Sequence, residues 1–361
     1  MIIQIEPWIG KEEFDQMSEV INSTFVTEWK KTEEFEKKFR ELTNSKYSIT
    51  YCNGTLSLFA ALRILNIEKG YEVIVPDLTF VASANSILLA GATPVFVDIE
   101  KDTFQIRAED IEKKITPRTK AIMPVHLYGQ SSDMEAIMKI ASKHNLKVVE
   151  DAAQGVGVKF NGLHVGNFGD FGSFSFYGNK TITTGEGGML ITSSEELAKK
   201  AFALKNHGRM EKGIFIHEEI GFNFSFTEMQ AALGLAQLSK FNKIKKKKLE
   251  IRDYYEKNLK DIPEIKMSFI DPRCEPVHWF TNIIVPDAEK LQDYLKQNKI
   301  LSRRFFYPLH LQPCYKYMKI KDDFPNTNYA YEHGLSLPSS ATLKDEELVE
   351  VVNKIRAFYK K

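Results

Sequence analysis

Residues 172–189 read GSFSFYGNKTITTGEGGM, and the rest of the chain is organised around this stretch. Two apolar segments typical of β-strands, GSFSF and GGMLIT, enclose a loop rich in Gly, Ser and Thr that presents one lysine, Lys180. A lysine in such a loop is ordinarily a solvated surface charge, and a glycine-rich loop is ordinarily a turn. The stretch alone leaves open whether Lys180 is a surface residue or the catalytic centre, which is the interpretation we favour.

Short β-branched segments alternate with amphipathic segments of helical length from Tyr47 onward. The expected strands are YSITY, EVIVP, TPVFVD, KAIMPV and LKVVED, and the expected helices between them are Thr55–Leu65, Ala82–Leu89, Ala108–Ile115 and Asp133–His144. Strands this apolar cannot leave one face in water, so the sequence predicts an α/β fold with a mostly parallel sheet covered by helices on both faces. Ligands of such sheets bind beyond the carboxyl ends of the strands.

The length of 361 residues exceeds what one hydrophobic core usually organises. We expect a large domain over residues 1–240 and a smaller C-terminal α+β domain over residues 241–361. The boundary precedes a long helical segment that ends at Pro263. Its lysines are expected to form a solvated helix face rather than a nucleic-acid patch, since no comparable basic surface accompanies them. They are Lys243, Lys245, Lys246, Lys247 and Lys248.

The composition is that of an ordinary globular protein, with 43% hydrophobic and 27% charged residues. A net charge of +1 provides no field that would attract nucleic acid or an anionic membrane. Three widely spaced cysteines without a CxxC pair argue against a disulfide framework and a zinc site. The N-terminal residues lack the pattern of a signal peptide, and no window approaches about eighteen apolar residues. We therefore expect a cytoplasmic protein with no metal, membrane or nucleic-acid partner.

Two features lie where a predicted strand passes into a predicted helix. Asn53-Gly54-Thr55 precedes the helical segment LSLFAAL, where backbone N–H groups and the Thr55 hydroxyl would form an anion cradle. The alternative is a plain helix N-cap. Phe80, in PDLTFVASAN, would stack on a flat ligand, although core packing is the commoner position for a phenylalanine.

Two more features follow central strands. The strand KVVED ends in Glu150-Asp151, and Gln154 follows one helical turn later. A carboxylate at this position is costly to desolvate without a cationic partner, unless it serves as the N-cap of the next helix. Ser175 lies at the end of GSFSF, five residues before Lys180, so a hydroxyl and an amine can converge on one site.

These four features together supply an amine nucleophile, a carboxylate, a phosphate cradle and an aromatic ring. Pyridoxal 5′-phosphate (PLP) is the cofactor that requires all four, with the lysine forming its Schiff base. A serine hydrolase does not fit, because the sequence contains no GxSxG elbow. The glycines of TTGEGG match neither a dinucleotide fingerprint nor a P-loop.

The chain resembles the PLP-dependent nucleotide-sugar aminotransferases of the DegT type, which have the aspartate-aminotransferase-like fold called fold type I. The resemblance covers nearly the whole length, and SFYGNKTITTGEGGM most resembles enzymes that aminate a 4-keto-6-deoxy sugar, such as perosamine synthases. Related sugar dehydratases have histidine where this chain has Lys180. The motifs that carry the resemblance are TFVTEWKKTEEFEKKF, NGT, PDLTFVASANSILLAGATPVFVD, VHLYGQ, VVEDAAQ, NHG, GFNFSFTEMQAALG, FFYPLH and LSLPSS.

The resemblance implies roles for individual cofactor residues. Lys180 matches the Schiff-base lysine, Asp151 matches the partner of the pyridinium nitrogen, and Gln154 matches the residue beside the ring hydroxyl. Phe80 matches the ring-stacking aromatic, and the phosphate contacts match Gly54, Thr55 and Ser175. Asn223, in GFNF, matches an asparagine that reaches the cofactor phosphate of the neighbouring subunit, which implies a homodimer with shared active sites.

The resemblance also implies where substrate binds. Tyr307 and His310 lie where the family contacts its sugar nucleotide, and Arg303 is expected to bind phosphate. Trp29, in FVTEWKK, either contacts a ligand or packs against its own domain. Similar proteins usually have an arginine where this chain has Ser225, so the function of that arginine must be supplied otherwise here.

The expected reaction is transfer of an amino group from glutamate to a GDP-, UDP- or dTDP-linked 4-keto-6-deoxyhexose, giving a 4-amino-4,6-dideoxy sugar for glycan or polysaccharide biosynthesis. The cofactor would alternate between PLP and pyridoxamine phosphate. Three alternatives stay open: a 3-keto-sugar aminotransferase, an amino-acid aminotransferase, and a catalytically inactive member of the PLP family. Sequence spacing does not determine the nucleotide or the stereochemistry of the sugar.

Overall fold

The computed structural model describes residues 1–211 and 213–360. The α-helices of these residues are α1 (Lys11–Ser23), α2 (Lys30–Thr43), α3 (Gly54–Ile64), α4 (Ala82–Leu89), α5 (Ala108–Ile111), α6 (Met134–His144), α7 (Glu195–Lys205), α8 (Glu228–Ser239), α9 (Phe241–Leu259), α10 (Ala288–Gln297), α11 (Pro325–His333) and α12 (Asp345–Phe358). The β-strands are β1 (Tyr47–Tyr51), β2 (Glu72–Pro76), β3 (Thr93–Val97), β4 (Thr119–Ile122), β5 (Lys147–Asp151), β6 (Lys159–Phe160), β7 (Leu163–His164), β8 (Phe171–Ser175), β9 (Gly188–Thr192), β10 (Lys266–Met267), β11 (Cys274–Glu275), β12 (Thr281–Ile284), β13 (Arg303–Arg304) and β14 (Gly334–Leu337).

The largest sheet of the described chain has the strand order β1-β9-β8-β5-β4-β2-β3. Strand β9 is antiparallel to both of its neighbours, while the pairs from β8 to β3 are parallel. The predicted α/β fold with a mostly parallel sheet is confirmed. Every residue of β2, β8 and β9 is buried, as expected for strands covered on both faces.

Alternate residues of β2 show how helices cover the two faces. Val73 and Val75 pack in the hydrophobic cluster that contains helix α3, including Leu58. Ile74, between them, packs on the other face in the cluster that contains Ile137 of α6. This two-residue alternation leaves the carboxyl ends of the strands as the edge at which polar side chains reach solvent.

The C-terminal region contains a second sheet with the order β10-β12-β14-β13. Helices α9, α10 and α12 form a separate hydrophobic cluster with this sheet. Ile2 joins that cluster and pairs with Ile300, whereas Tyr315 and Phe324 pack in the core of the large sheet. Each region therefore contributes residues to the hydrophobic core of the other. A domain boundary at residues 240 and 241 stays a prediction.

The expectation of a fully solvated lysine face on α9 is wrong for one residue. Lys248 is buried, and its amine donates hydrogen bonds to the main-chain carbonyls of Trp279 and Ser339, both at 3.1 Å. It lies four residues after Ile244 and three before Ile251, both of which are also buried, so helical geometry turns it toward the core. In the described chain, no helix is long and apolar enough to cross a membrane.

Candidate active site

A cavity of about 440 Å³ opens beyond the carboxyl ends of the large sheet's strands. Ligand cavities of this size are typical of small-molecule and cofactor sites. The cavity brings together eight of the residues selected from the sequence, although they lie between positions 54 and 303. They are Gly54, Thr55, Phe80, Asp151, Gln154, Ser175, Lys180 and Arg303.

The N-cap interpretation of the Asn53-Gly54-Thr55 turn is confirmed, and the anion cradle stays a prediction that the position of the turn suits. The Asn53 side chain accepts a hydrogen bond from the Leu56 N–H at 2.9 Å and so caps α3. Gly54 and Thr55 then line the cavity at the positive end of that helix. A Cβ atom on Gly54 would lie 2.9 Å from the Ser175 Cβ atom, so the absence of a side chain lets the turn approach Ser175 closely.

Asp151 ends β5 and its carboxylate reaches the cavity. The Ser83 hydroxyl donates to Oδ2 at 2.7 Å, and the Ala153 N–H donates to Oδ1 at 3.1 Å. Burial raises the pKa of this carboxyl, while the hydrogen bond from Ser83 acts against that rise. A buried carboxylate with few neutral donors is suited to a cationic partner in the cavity.

The adjacent Glu150 is held by backbone hydrogen bonds and does not line the cavity. Its carboxylate accepts hydrogen bonds from the backbone N–H groups of Gly166, Phe168 and Gly169 at 2.6, 2.8 and 2.8 Å. It also lies 3.0 Å from Nε2 of His126. Because successive side chains of a strand point to opposite faces, only Asp151 of this pair lines the cavity.

Lys180 lies between β8 and β9 and extends into the cavity beside Asp151. Its Nζ lies 4.3 Å from the centre of the Trp279 ring. Burial lowers the pKa of the Lys180 amine to about 8; the negative charge of Asp151 opposes this effect, and the positive charge of Arg303 adds to it. Lys180 is half-buried and its side chain lines the cavity, so the interpretation of Lys180 as a freely solvated surface charge is wrong.

Aromatic residues form another wall of the cavity. Phe80 is 54% exposed, and its ring centre lies 6.0 Å from that of Phe306. The core-packing alternative for Phe80 is therefore wrong. Phe306 stacks on Tyr128 with ring centres 5.7 Å apart, and the Tyr128 N–H donates to Oε1 of Gln154 at 2.5 Å. This bond fixes the Gln154 amide at the cavity edge.

Sequence reasoning missed several residues that line or support the cavity. Ser83 carried a usable signal, since it lies three residues after Phe80 on the turn that opens α4. Phe306 also carried a signal, since it belongs to the quoted FFYPLH motif. Trp279 carried none, because it belongs to the C-terminal region and reaches the cavity only through tertiary packing. Glu186 lies in the quoted TTGEGG motif and also lines the cavity.

Four predicted residues lie outside the cavity lining formed by the described residues. Trp29 stacks on Phe25, and Tyr307 packs edge-on against Tyr331. His310 pairs through Nδ1 with Oδ2 of the buried Asp77 at 2.6 Å. Asn223 lines a separate pocket of about 460 Å³, which Ser225 also lines. A substrate or cofactor role for these four residues stays a prediction.

The donor set of the cavity fits pyridoxal phosphate. Lys180 offers an amine, and Asp151 offers a buried carboxylate that would partner a protonated ring nitrogen. Gly54 approaches Ser175 closely, and the hydroxyl and backbone donors of Gly54, Thr55 and Ser175 line the cavity at the start of α3, where they would suit a phosphate. Phe80 offers an exposed ring face.

Residues 7–356 match the model of the DegT/DnrJ/EryC1/StrS aminotransferase family. The chain belongs to this family. The predictions of the family and of a transaminase are confirmed, and the predicted fold type agrees with solved members. The chain is 39% identical to GDP-perosamine synthase of Escherichia coli O157:H7 over 98% of its own length and 97% of the relative's.

Solved members of the aminotransferase family superpose closely on the chain. S. venezuelae DesV has a TM-score of 0.93 and 31% identity, covering 97% of this chain and 95% of its own. The putative sugar aminotransferase Spr1654 of Streptococcus pneumoniae, solved in a PLP form, has a TM-score of 0.94 and 26% identity, covering 100% and 99%. The fold described above, with its large, mostly parallel sheet and its smaller C-terminal sheet, is therefore that of the family.

Proposed function

We propose that the chain is a PLP-dependent aminotransferase that converts a nucleotide-linked 4-keto-6-deoxyhexose to the 4-amino-4,6-dideoxy sugar, with glutamate as amino donor. The observation that carries this proposal is the single cavity that holds the Lys180 amine beside the Asp151 carboxylate. Pyridoxal 5′-phosphate is the cofactor, as for Spr1654. The similarity to GDP-perosamine synthase supports a GDP-linked 4-keto sugar and a product used in polysaccharide biosynthesis.

Different residues of this chain would bind different parts of the cofactor. When bound, the cofactor supplies a ring that accepts electrons from a carbon next to the amino group. Gly54, Thr55 and Ser175, which line the cavity at the start of α3, would bind its phosphate, and Phe80 would cover one ring face. Asp151 would hold a proton at the ring nitrogen through a charge-assisted hydrogen bond, and Gln154 would contact the ring hydroxyl.

Lys180 moves the proton in each half-reaction. A free amine with a pKa of about 8 is partly neutral near neutral pH, which allows it to act as a base. It removes the hydrogen on the α-carbon of glutamate as a proton. In the second half-reaction the Lys180 ammonium donates a proton to the sugar carbon that receives the amino group, and the lysine returns to its neutral form.

Arg303 is the sugar nucleotide's phosphate ligand in this proposal, since its guanidinium lines the cavity and is suited to bidentate phosphate binding. Tyr307 and His310 follow it in the chain and contact the nucleotide sugar, and Trp29 contacts the substrate. A UDP- or dTDP-linked sugar, or amination at carbon 3, would place the same groups around a different substrate. An amino-acid aminotransferase would instead need cationic groups for a second carboxylate.

The working unit of this proposal is a homodimer with shared active sites. Large apolar side chains are exposed on α1 and on the loop before Asn223, a pattern that marks interaction surfaces. They are Phe14, Ile21, Phe215, Ile216 and Ile220, with exposed fractions between 59% and 90%. Asn223 lies outside its own cavity and would reach the cofactor phosphate of the partner subunit.

The three cysteines are free, as suits a reducing compartment, and we place the enzyme in the cytoplasm.

The decisive experiment incubates the purified protein with glutamate and a panel of GDP-, UDP- and dTDP-linked 4-keto-6-deoxy sugars, with product identified by mass spectrometry. The protein should absorb visible light through its lysine-bound cofactor. Lys180→Ala should lower turnover by more than about 100-fold and still trap the sugar adduct.

Lys199→Ala, which changes an exposed lysine paired with Glu195, is the matched control and should retain activity. Wild-type transamination by Lys180→Ala would refute the proposed mechanism. Exchange between amino acids and keto acids without conversion of any nucleotide sugar would support the amino-acid aminotransferase. No turnover of either kind would support the inactive family member.

A further inference from the structure

Trp279 touches the loop that carries Lys180 in two places, although it lies about one hundred residues later in the chain. Its ring centre lies 4.3 Å from the Lys180 Nζ. Its indole N–H donates a hydrogen bond to the carbonyl oxygen of Asn179 at 2.6 Å. Trp279 itself is only 3% exposed, so the indole is held firmly by its surroundings. One side chain therefore contacts both the amine and the peptide group just before it.

The main chain of Trp279 is held in turn by Lys248. This lysine lies on α9, and its amine donates to the carbonyl oxygens of Trp279 and Ser339. In the described part of the chain, its hydrogen bonds go to these two carbonyls and not to a carboxylate. Burying an amine without an acidic partner costs free energy. The burial of Lys248 therefore needs an explanation other than charge pairing.

Lys180 and Lys248 also line one small cavity of about 10 Å³. A space of this size holds at most one water molecule. Lys248 holds the main chain of Trp279, and the Trp279 side chain contacts Lys180, so the three residues form one connected support for the Lys180 amine.

We propose that Trp279 is a positioning residue that holds the free Lys180 amine on its ring face, and that Lys248 anchors Trp279 for this task. The inference rests on the proposed function, in which the Lys180 amine is released from the cofactor whenever a substrate takes its place. A cation over an indole face is attracted by the ring quadrupole, and the attraction grows when water is excluded. The ring thereby keeps the released ammonium within reach of the reacting carbon.

Several charged residues also line the cavities that Lys180 lines. Asp151, Glu186 and Arg303 line the main cavity with it. Glu6 and Lys248 line the small cavity behind it. A test through the pKa of Lys180 must leave all five unchanged, and substitutions of Trp279 do so.

The first experiment measures the pKa of Lys180 in the full chain without cofactor. The rate at which acetic anhydride labels Lys180 is followed against pH by mass spectrometry of its peptide. Trp279→Leu should lower this pKa by about half a unit to one unit, because it removes the ring that favours the ammonium form. Trp279→Phe should lower it less.

Trp8→Phe is the matched control, because Trp8 lines the same small cavity while its ring faces Lys240. It should leave the pKa of Lys180 unchanged. A pKa in Trp279→Leu equal to that of the wild type would overturn the proposal. Since the reading is taken without cofactor, it stays valid even if the proposed substrate or reaction is wrong.

A second measurement covers the case in which Trp279→Leu does not fold. Trp279→Phe keeps most of the ring volume but loses the indole N–H, so amide hydrogen exchange around Asn179 and Lys180 should be about fivefold faster. Lys248→Met should have the same effect, and Lys246→Met, on the exposed side of α9, should have none. Exchange at the wild-type rate in both Trp279→Phe and Lys248→Met would refute the positioning role.

Discussion

The hydroxyl of Ser83 lies 2.7 Å from Oδ2 of Asp151 and donates a hydrogen bond to it. Ser83 lies in the first turn of α4, whereas Asp151 ends β5, so the bond joins two elements across the cavity floor. The same hydroxyl is 3.1 Å from that of Thr79. Because burial raises the pKa of Asp151, this bond is one of the few contacts that stabilise its ionised form.

Ser83→Ala is expected to slow the half-reaction with glutamate by about tenfold, since hydrogen bonds to charged groups are worth roughly 1.5–3 kcal/mol. The pKa of Asp151 should rise further, so the carboxylate holds the ring proton less well. Stopped-flow absorbance with glutamate measures the rate. Ser86→Ala is the control, because the Ser86 hydroxyl donates to a main-chain carbonyl on the same helix. Equal rates in the wild type and Ser83→Ala would contradict the assigned role.

Gly54→Ala is expected to weaken cofactor binding by about tenfold while leaving the fold intact. The added Cβ would lie 2.9 Å from the Ser175 Cβ, so the turn or Ser175 must move out of the phosphate cradle. A movement that costs about 1.4 kcal/mol produces this factor. Equilibrium titration of the cofactor-free protein with PLP gives the dissociation constant.

Gly10→Ala serves as the control for Gly54→Ala, because its added Cβ would meet only the Glu12 side chain at 3.5 Å. Its dissociation constant should match that of the wild type. Unchanged PLP affinity in Gly54→Ala would mean that the phosphate lies elsewhere in the cavity.

His164 is expected to make the protein less stable in acid. Burial lowers its pKa to about 4, and its Nε2 accepts a hydrogen bond from the Gly157 N–H at 2.8 Å. Between pH 6.5 and 4 the unfolded chain binds a proton that the folded chain does not, so the free energy of unfolding falls as the pH falls. The lowering of this pKa from 6.5 to about 4 corresponds to a change of roughly 3 kcal/mol in the free energy of unfolding, at about 1.36 kcal/mol per pKa unit.

Urea unfolding of the cofactor-free protein at pH 7 and pH 4.5 measures this effect. His164→Gln should be less stable at pH 7 but should lose less stability on acidification than the wild type does. His278, whose pKa burial also lowers, to about 3, remains in both proteins and cancels from the comparison. An equal loss in both proteins would show that His164 does not titrate as expected.

Mixing two inactive variants is expected to restore activity if active sites are shared between subunits. In a heterodimer of Lys180→Ala and Asn223→Ala, one site has both native residues and the other has neither. Random pairing makes half of the dimers heterodimers, so about one quarter of wild-type activity should return. Turnover is measured after the variants are co-expressed and compared with each alone. No recovery would favour a cofactor site built from a single subunit.

Local sequence chemistry was enough to predict the main sheet and half of the site. Thr55, Asp151 and Ser175 each lie at the end of a strand or the start of a helix, and these ends meet at one edge of a parallel sheet. The burial of Lys248 could also have been predicted from the sequence, since its helical spacing from Ile244 and Ile251 places it on the buried face. The lysines around it led instead to the wrong expectation that Lys248 is solvated.

By itself, the sequence determined the parallel α/β architecture and the set of groups that suit one cofactor, because periodicity and strand ends are local properties. The loop of residues 172–189 supplied the amine, but by itself it left open that Lys180 is a surface charge. Only the tertiary structure decided that Trp279, Phe306 and Arg303 line one cavity with this amine and that Ser83 meets Asp151. Such contacts join distant segments, and they form only when the core has buried enough apolar surface to fix both segments in place.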